Sequence, residues 1–199
     1  MADDKSGRDK KARDAERQQD ERNIATELER WHETEPPVDE SVLDELDAAL
    51  DAVDFPATGT EVVAAVGDRE VVASNATYTV SDLVPDTDAE TFPSPRAVRV
   101  RVQRPTIAAA MKRIVEASRP IQNLDFDRER RHAYEKTLRA LEDIDEDDED
   151  EGIDVVTDWI VERISQKNAL PGSRDVRRRA AKFCRSNDYA VRDDEWLGV

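Results

Sequence analysis

Charged residues are as abundant as apolar ones in this chain, and that parity limits the core it can build. Asp, Glu, Lys and Arg make up 39% of the 199 residues and hydrophobic types 38%, against about 25% and 45–50% in an ordinary globular domain. One large core is therefore not expected. Two modest cores joined by charged segments are, built from amphipathic helices and a little strand. No apolar run approaches the ~18 residues of a membrane span. The stretch from Met1 to Arg22 is fully polar, unlike a secretory signal. Cys184, the single cysteine, excludes an internal disulfide and fits a reducing compartment. The expectation is a cytoplasmic protein without membrane contact.

The sign of the charge adds a second constraint. Acids outnumber bases 47 to 30, for a formal net charge of -17. Asp outnumbers Glu, and the bases are mostly Arg. Such a surface stays hydrated and soluble where water activity is low, which suits the cytosol of an extreme salt-accumulating halophile. In molar salt the Debye length falls to ~3 Å. A partner must then be held by contact and desolvated ion pairs, because long-range steering is screened.

Along the chain, residues 1–34 read as a charged arm, disordered or helical, with Ile24, Leu28 and Trp31 as its one apolar stripe. Residues 35–120 read as a small α+β module. Pro36 and Pro37 break the chain, and Ser41 is placed to cap a helix with Leu43, Leu46 and Leu50 inward. Thr58 and Glu61 form a capping-box pattern, and Gly67 is placed to close that helix in a left-handed conformation. Residues 69–73 and 77–80 predict a hairpin. Ser94-Pro95 and Pro105 start two more helices, with Val98 and Val102, then Ile107, Met111 and Ile114, facing inward.

Residues 121–199 read as a helical module containing an acidic linker at 142–151 and a basic last helix. A helix over 126–144 turns Tyr134, Leu138 and Leu141 inward. Asp154 and Ser173 are expected to cap the two helices of a helix–turn–helix-like pair, separated by Asn168–Gly172. The fold class is thus α+β and mostly helical: a helix–hairpin–helix module followed by a helical one.

Several phrases of the chain resemble a haloarchaeal family of uncharacterised proteins. They are Phe55-Pro56-Ala57-Thr58-Gly59, Asp68-Arg69-Glu70-Val71, Leu83-Val84-Pro85-Asp86-Thr87, the run Leu170–Arg179 and the ending Asp194–Val199. The resemblance implies a halophilic archaeal source and no known activity.

The inventory for catalysis is thin. His32 and His132 each lie in a charged helical context, and Cys184 follows Phe183 on an inward stripe. Neither a base nor an orienting group stands near that thiol, and the six glycines are scattered with no phosphate loop. Asp147, Glu149, Glu151, Gly152 and Asp158 fall on a calcium-loop template only loosely. Glutamates stand where shorter ligands belong, and an Asp stands in the bidentate Glu position. No catalytic residue, cofactor or metal is expected.

Two basic clusters stand out against the acidic background. The first holds Arg96, Arg99, Arg101 and Arg104; the second holds Arg174, Arg177, Arg178, Lys182 and Arg185. One reading makes them internal or protein-facing, paired with acidic helices such as 39–54 and the 142–151 block, since Arg suits bidentate pairs. The chain is then a non-enzymatic accessory or adaptor protein that grips a protein partner through these helices and Trp31. The other reading docks the 154–187 helix pair on nucleic acid. Oligomeric state has no signature in the sequence.

Overall fold

A computed structural model describes residues 38–73, 76–121, 126–144 and 150–189. Trp31, His32, Asp147, Glu149 and the 194–199 phrase lie outside the described residues. Among those described are eight helices and four short strands, so the chain is mostly helical, with two small antiparallel pairs.

Helix α1 (Glu40–Leu50) buries Leu43, Leu46 and Leu50. Its N-cap is Asp39, not Ser41: the Asp39 carboxylate accepts from the Ser41 backbone N–H at 2.8 Å and from its hydroxyl at 2.6 Å. A carboxylate at a helix start is also favoured by the helix dipole, and those two hydrogen bonds lower the Asp39 pKa. Strand β1 (Ala57–Thr58) leads into α2 (Gly59–Val66), where the capping box forms with Glu61 as expected. Gly67 closes α2 in the right-handed region, φ −57°. The left-handed closure is not needed because the chain turns directly into β2 (Glu70–Val72), which pairs with β3 (Thr77–Thr79).

A short helix α3 (Val80–Leu83) follows β3 directly. Its carboxylate at Asp82 accepts from the Thr79 N–H at 2.8 Å, which lowers the Asp82 pKa. Strand β4 (Thr91–Phe92) pairs with β1. Helix α4 (Pro95–Val102) and helix α5 (Pro105–Ser118) follow, each opening on proline.

Helix α6 (Arg128–Glu142) turns Tyr134, Leu138 and Leu141 inward. Helix α7 (Glu151–Lys167) begins three residues before the expected cap at Asp154, after Asp150 at φ 53°. The reason is Ile153, which is fully buried and carries the stripe of Val156, Ile160 and Ile164 one turn upstream. Asn168 ends α7 in the left-handed region at φ 48°, a conformation Asn tolerates. Helix α8 (Ser173–Ser186) takes Gly172 as N-cap, so Ser173 is its first residue and not its cap.

Two apolar clusters form. One gathers Leu43, Leu46, Leu50, Val62, Val71, Val80, Leu83, Val98 and Val102 from α1–α4 and the strands. The other gathers Tyr134, Leu138, Ile153, Ile160, Ile164, Val176 and Phe183 from α6–α8. Helix α5 serves both. Ala108 faces the first cluster, while Ile107, Met111 and Ile114 face the second. An expectation of charged connectors between cores is thereby replaced by an apolar helix they share.

Candidate interaction surface

The first basic cluster is spent inside the fold. Arg99 on α4 reaches across to α1, 2.8 Å from Asp44, 2.5 Å from Asp47 and 3.8 Å from Glu40. The hydrogen bond to Asp44 raises the Arg99 pKa against the opposing effect of partial burial. The two carboxylates sit at a three-residue step on one helix face, so a single guanidinium can bridge them.

Arg101 points the other way. It lies 2.5 Å from Glu90 and 2.9 Å from Glu135 on α6, and its side chain is only 9% exposed. Glu90, 5% exposed at the side chain, also takes Arg131 of α6 at 3.3 Å. Two guanidiniums and two carboxylates therefore close a charge-balanced network, buried at Arg101 and Glu90 and partly exposed at Arg131 and Glu135, that joins the segment before β4, α4 and α6. Isolated surface pairs contribute little. A buried set of this kind mainly penalises loss of any member, because the remaining charges are left uncompensated.

Arg104 adds another tie, 2.8 Å from Glu142 at the end of α6. Burial raises the Glu142 pKa, and the Arg104 charge works against that rise. Arg113 of α5 pairs with Asp154 at 3.2 Å and with Asp158, both on α7. Lys112 donates to the Ser81 carbonyl at 2.7 Å and Arg119 to the Asp86 carbonyl at 3.1 Å. Arg96 is also engaged in an interaction within the chain.

One of these pairs engages Asp158, the last position of the calcium template. Glu151, Gly152 and Asp158 lie within α7, so from its fifth position onward the template falls on helix. Asp154 and Asp158 are turned toward Arg113. Among the described residues no group of three or more His, Cys, Asp and Glu side chains could hold a metal ion. Cys184 is buried among the apolar side chains of the second cluster. His132 is exposed on α6.

The second cluster is arranged differently. Val176, Ala180, Ala181, Phe183 and Cys184 turn inward on α8. Tyr134, from α6, donates its hydroxyl to the Pro171 carbonyl at 2.5 Å and so pins the turn that launches the helix. Burial raises the Tyr134 pKa well above the tyrosine range, so the hydroxyl stays a donor. With the inner face fixed, Arg174, Arg178, Lys182 and Arg185 are exposed on the outer one. No ion pair to Arg174, Arg178 or Lys182 is formed among the described residues. Arg185 donates its Nε–H to the Ala181 carbonyl at 3.2 Å. Arg177 is half-buried and has an interaction within the chain.

The two arginine clusters look alike in sequence and separate cleanly in space. The partners that consume the first one include Glu90, Glu135 and Glu142, none of which stands out among so many acids. Their signal is tertiary: Glu90 meets Arg101 and Arg131, Glu135 meets Arg101 and Glu142 meets Arg104 only in the folded chain.

No helix among the described residues is long and apolar enough to cross a membrane. Residues 41–113 match the model of a family described as a family of unknown function, DUF5789. Neither a curated protein nor a solved structure matches the chain. The phrases Phe55–Gly59, Asp68–Val71 and Leu83–Thr87 fall inside the matched segment, and the run Leu170–Arg179 falls outside it. The chain thus carries, from α1 to the middle of α5, a segment similar to that family of unknown function, while α6, α7 and α8 lie beyond it.

Proposed function

We propose that this chain is a non-enzymatic binding module of a salt-rich cytosol that docks on nucleic acid through the open face of α8. One observation carries the reading: Arg174, Arg178 and Lys182 lie exposed and, among the described residues, without carboxylate partners, in a chain of net charge -17. Elsewhere in the fold Arg99, Arg101 and Arg104 are drawn into ion pairs. A compact cationic face left open against that background suits an extended polyanion.

The sequence alone puts a protein partner first, gripped through both arginine clusters. That adaptor reading loses half its surface once Arg99, Arg101 and Arg104 are paired internally. What supports nucleic acid is the helix pair itself, a short turn leading into a second helix with basic side chains outward.

The test is recovery of the full-length protein from cells lysed in molar KCl, with and without nuclease. It is paired with binding of the purified chain to labelled duplex DNA and RNA. Nuclease-sensitive recovery, and binding lost on Arg174→Gln with Arg178→Gln, is the expected result. Retention of a protein partner after nuclease, with both nucleic acids at background, overturns it in favour of the adaptor.

A further inference from the structure

We infer that α8 reads base edges in the major groove of duplex DNA, with Arg174, Asp175 and Arg178 as the residues that select a G·C-rich step. The inference rests on the nucleic-acid reading above and names its ligand: DNA in preference to RNA, chosen by sequence.

The arrangement of the exposed face carries it. Residues 174, 175, 178, 182 and 185 are all exposed, and they fall within one sector of about 100° at 3.6 residues per turn. The buried Val176, Ala180 and Phe183 stand opposite. The sector is not uniform along its length. Its N-terminal end mixes two guanidiniums with a carboxylate, while its C-terminal end, Lys182 and Arg185, is cationic only. A recognition helix reads bases chiefly from its N-terminal residues. Arg reads guanine by a bidentate bond to O6 and N7, and a carboxylate accepts from the N4 amino group of cytosine. Asp175 would only repel a phosphate, so its place among the arginines suits a base edge. Along the axis Arg174 and Arg178 stand about 6 Å apart, close to two base-pair steps of about 3.4 Å. Each can therefore meet its own guanine.

Salt makes these base contacts necessary. Each phosphate contact on a duplex contributes a log–log salt slope of about −0.9, so Lys182 and Arg185 alone would hold little in molar KCl. Hydrogen bonds to base edges displace no condensed counterions and keep their discrimination where phosphate contacts fade. Such bonds need a rigid donor set. Tyr134 supplies part of that rigidity, because its hydroxyl holds the Pro171 carbonyl at 2.5 Å, one residue before the N-cap Gly172. Leu170, buried in the same turn, supplies more. The groove then decides the kind of duplex. The major groove of B-DNA is about 12 Å wide and admits a helix. That of A-form RNA is too deep and narrow for side chains to read.

The experiment passes DNA duplexes of about 20 base pairs, randomised over the central eight, through a column of densely immobilised full-length protein in 1 M KCl, and sequences what is retained. Guanine is expected at two positions about two steps apart, each enriched about tenfold, with the same enrichment when the column is run in 2 M KCl. Arg174→Gln and Arg178→Gln should each erase guanine at one of these positions. Asp175→Asn should replace a cytosine by adenine, the base that Asn reads. Helical circular dichroism should stay unchanged, because all three side chains are exposed. An Asp175 that served only to stabilise the start of the helix would leave base preference where it was. Retention without base preference, a preference untouched by all three substitutions, or equal retention of the same sequences as RNA duplexes overturns base reading while leaving nucleic-acid binding intact. Retention of neither DNA nor RNA removes the underlying reading and this inference together.

Discussion

Single side chains decide more here than their number suggests, and Tyr134 and Glu90 show how. Tyr134 is legible in the sequence as an inward residue of α6, but its acceptor, the Pro171 carbonyl, stands 37 positions away. Tyr134→Phe keeps the ring and removes the donor, leaving a buried carbonyl unsatisfied. Destabilisation of about 1–3 kcal/mol is expected, read as a lower urea midpoint in molar KCl. Glu90 is illegible altogether. Its identity differs in no way from dozens of solvated acids, and only the folded arrangement that brings Arg101 of α4 and Arg131 of α6 to the segment before β4 makes it their acceptor. Glu90→Gln should cost about 3 kcal/mol, since the buried Arg101 and the partly exposed Arg131 lose a shared counter-charge. Glu45→Gln on the exposed face of α1 should change the midpoint negligibly. Equal effects of the two substitutions would reduce the Glu90 network to a surface pair.

At the scale of elements, the sequence is most readable where a local rule acts without competition. The Thr58–Glu61 box, the prolines opening α4 and α5, and the inward stripes of α1, α5 and α8 follow from spacing alone. Boundaries fail where a distant contact extends or displaces the local signal. Ile153 pulls the start of α7 upstream of Asp154, and Asp39 takes the capping role that Ser41 seemed to hold. Gly59 is a further case. It opens α2, donates its N–H to the Glu90 carbonyl at 2.9 Å, and stands so close to the Pro85 backbone that an added Cβ would lie 2.1 Å from its carbonyl oxygen. Backbone cannot yield as a side-chain tip can. Gly59→Ala should therefore destabilise by about 1–3 kcal/mol, despite the better helix propensity of Ala, and calorimetry of the single variant checks the sign.

For the whole molecule, the balance between carboxylate repulsion and small cores sets the working conditions. With a net charge of -17, dilute buffer leaves that repulsion unscreened. Dialysis out of molar KCl should reduce helical circular dichroism, and restoring the salt should recover it. A chain equally stable at both extremes would remove the argument for a salt-rich cell.

The placement of α5 sets how the molecule comes apart. Its two faces are committed to different neighbours, Ala108 to one and Ile107, Met111 and Ile114 to the other. Melting either half strips one flank of the same rod, so the halves share a fate and unfolding should proceed in one step. Amide protons in the middle of α5 should then be the slowest to exchange, at the rate of complete unfolding. A fragment ending at residue 113, where the family segment stops, would leave Ile107 and Met111 bare to water and lose Ile114. Such a fragment should self-associate or stay molten. Supplying α6 to α8 as a separate polypeptide should restore sharp near-ultraviolet circular dichroism, turning a covalent neighbour into a measurable ligand.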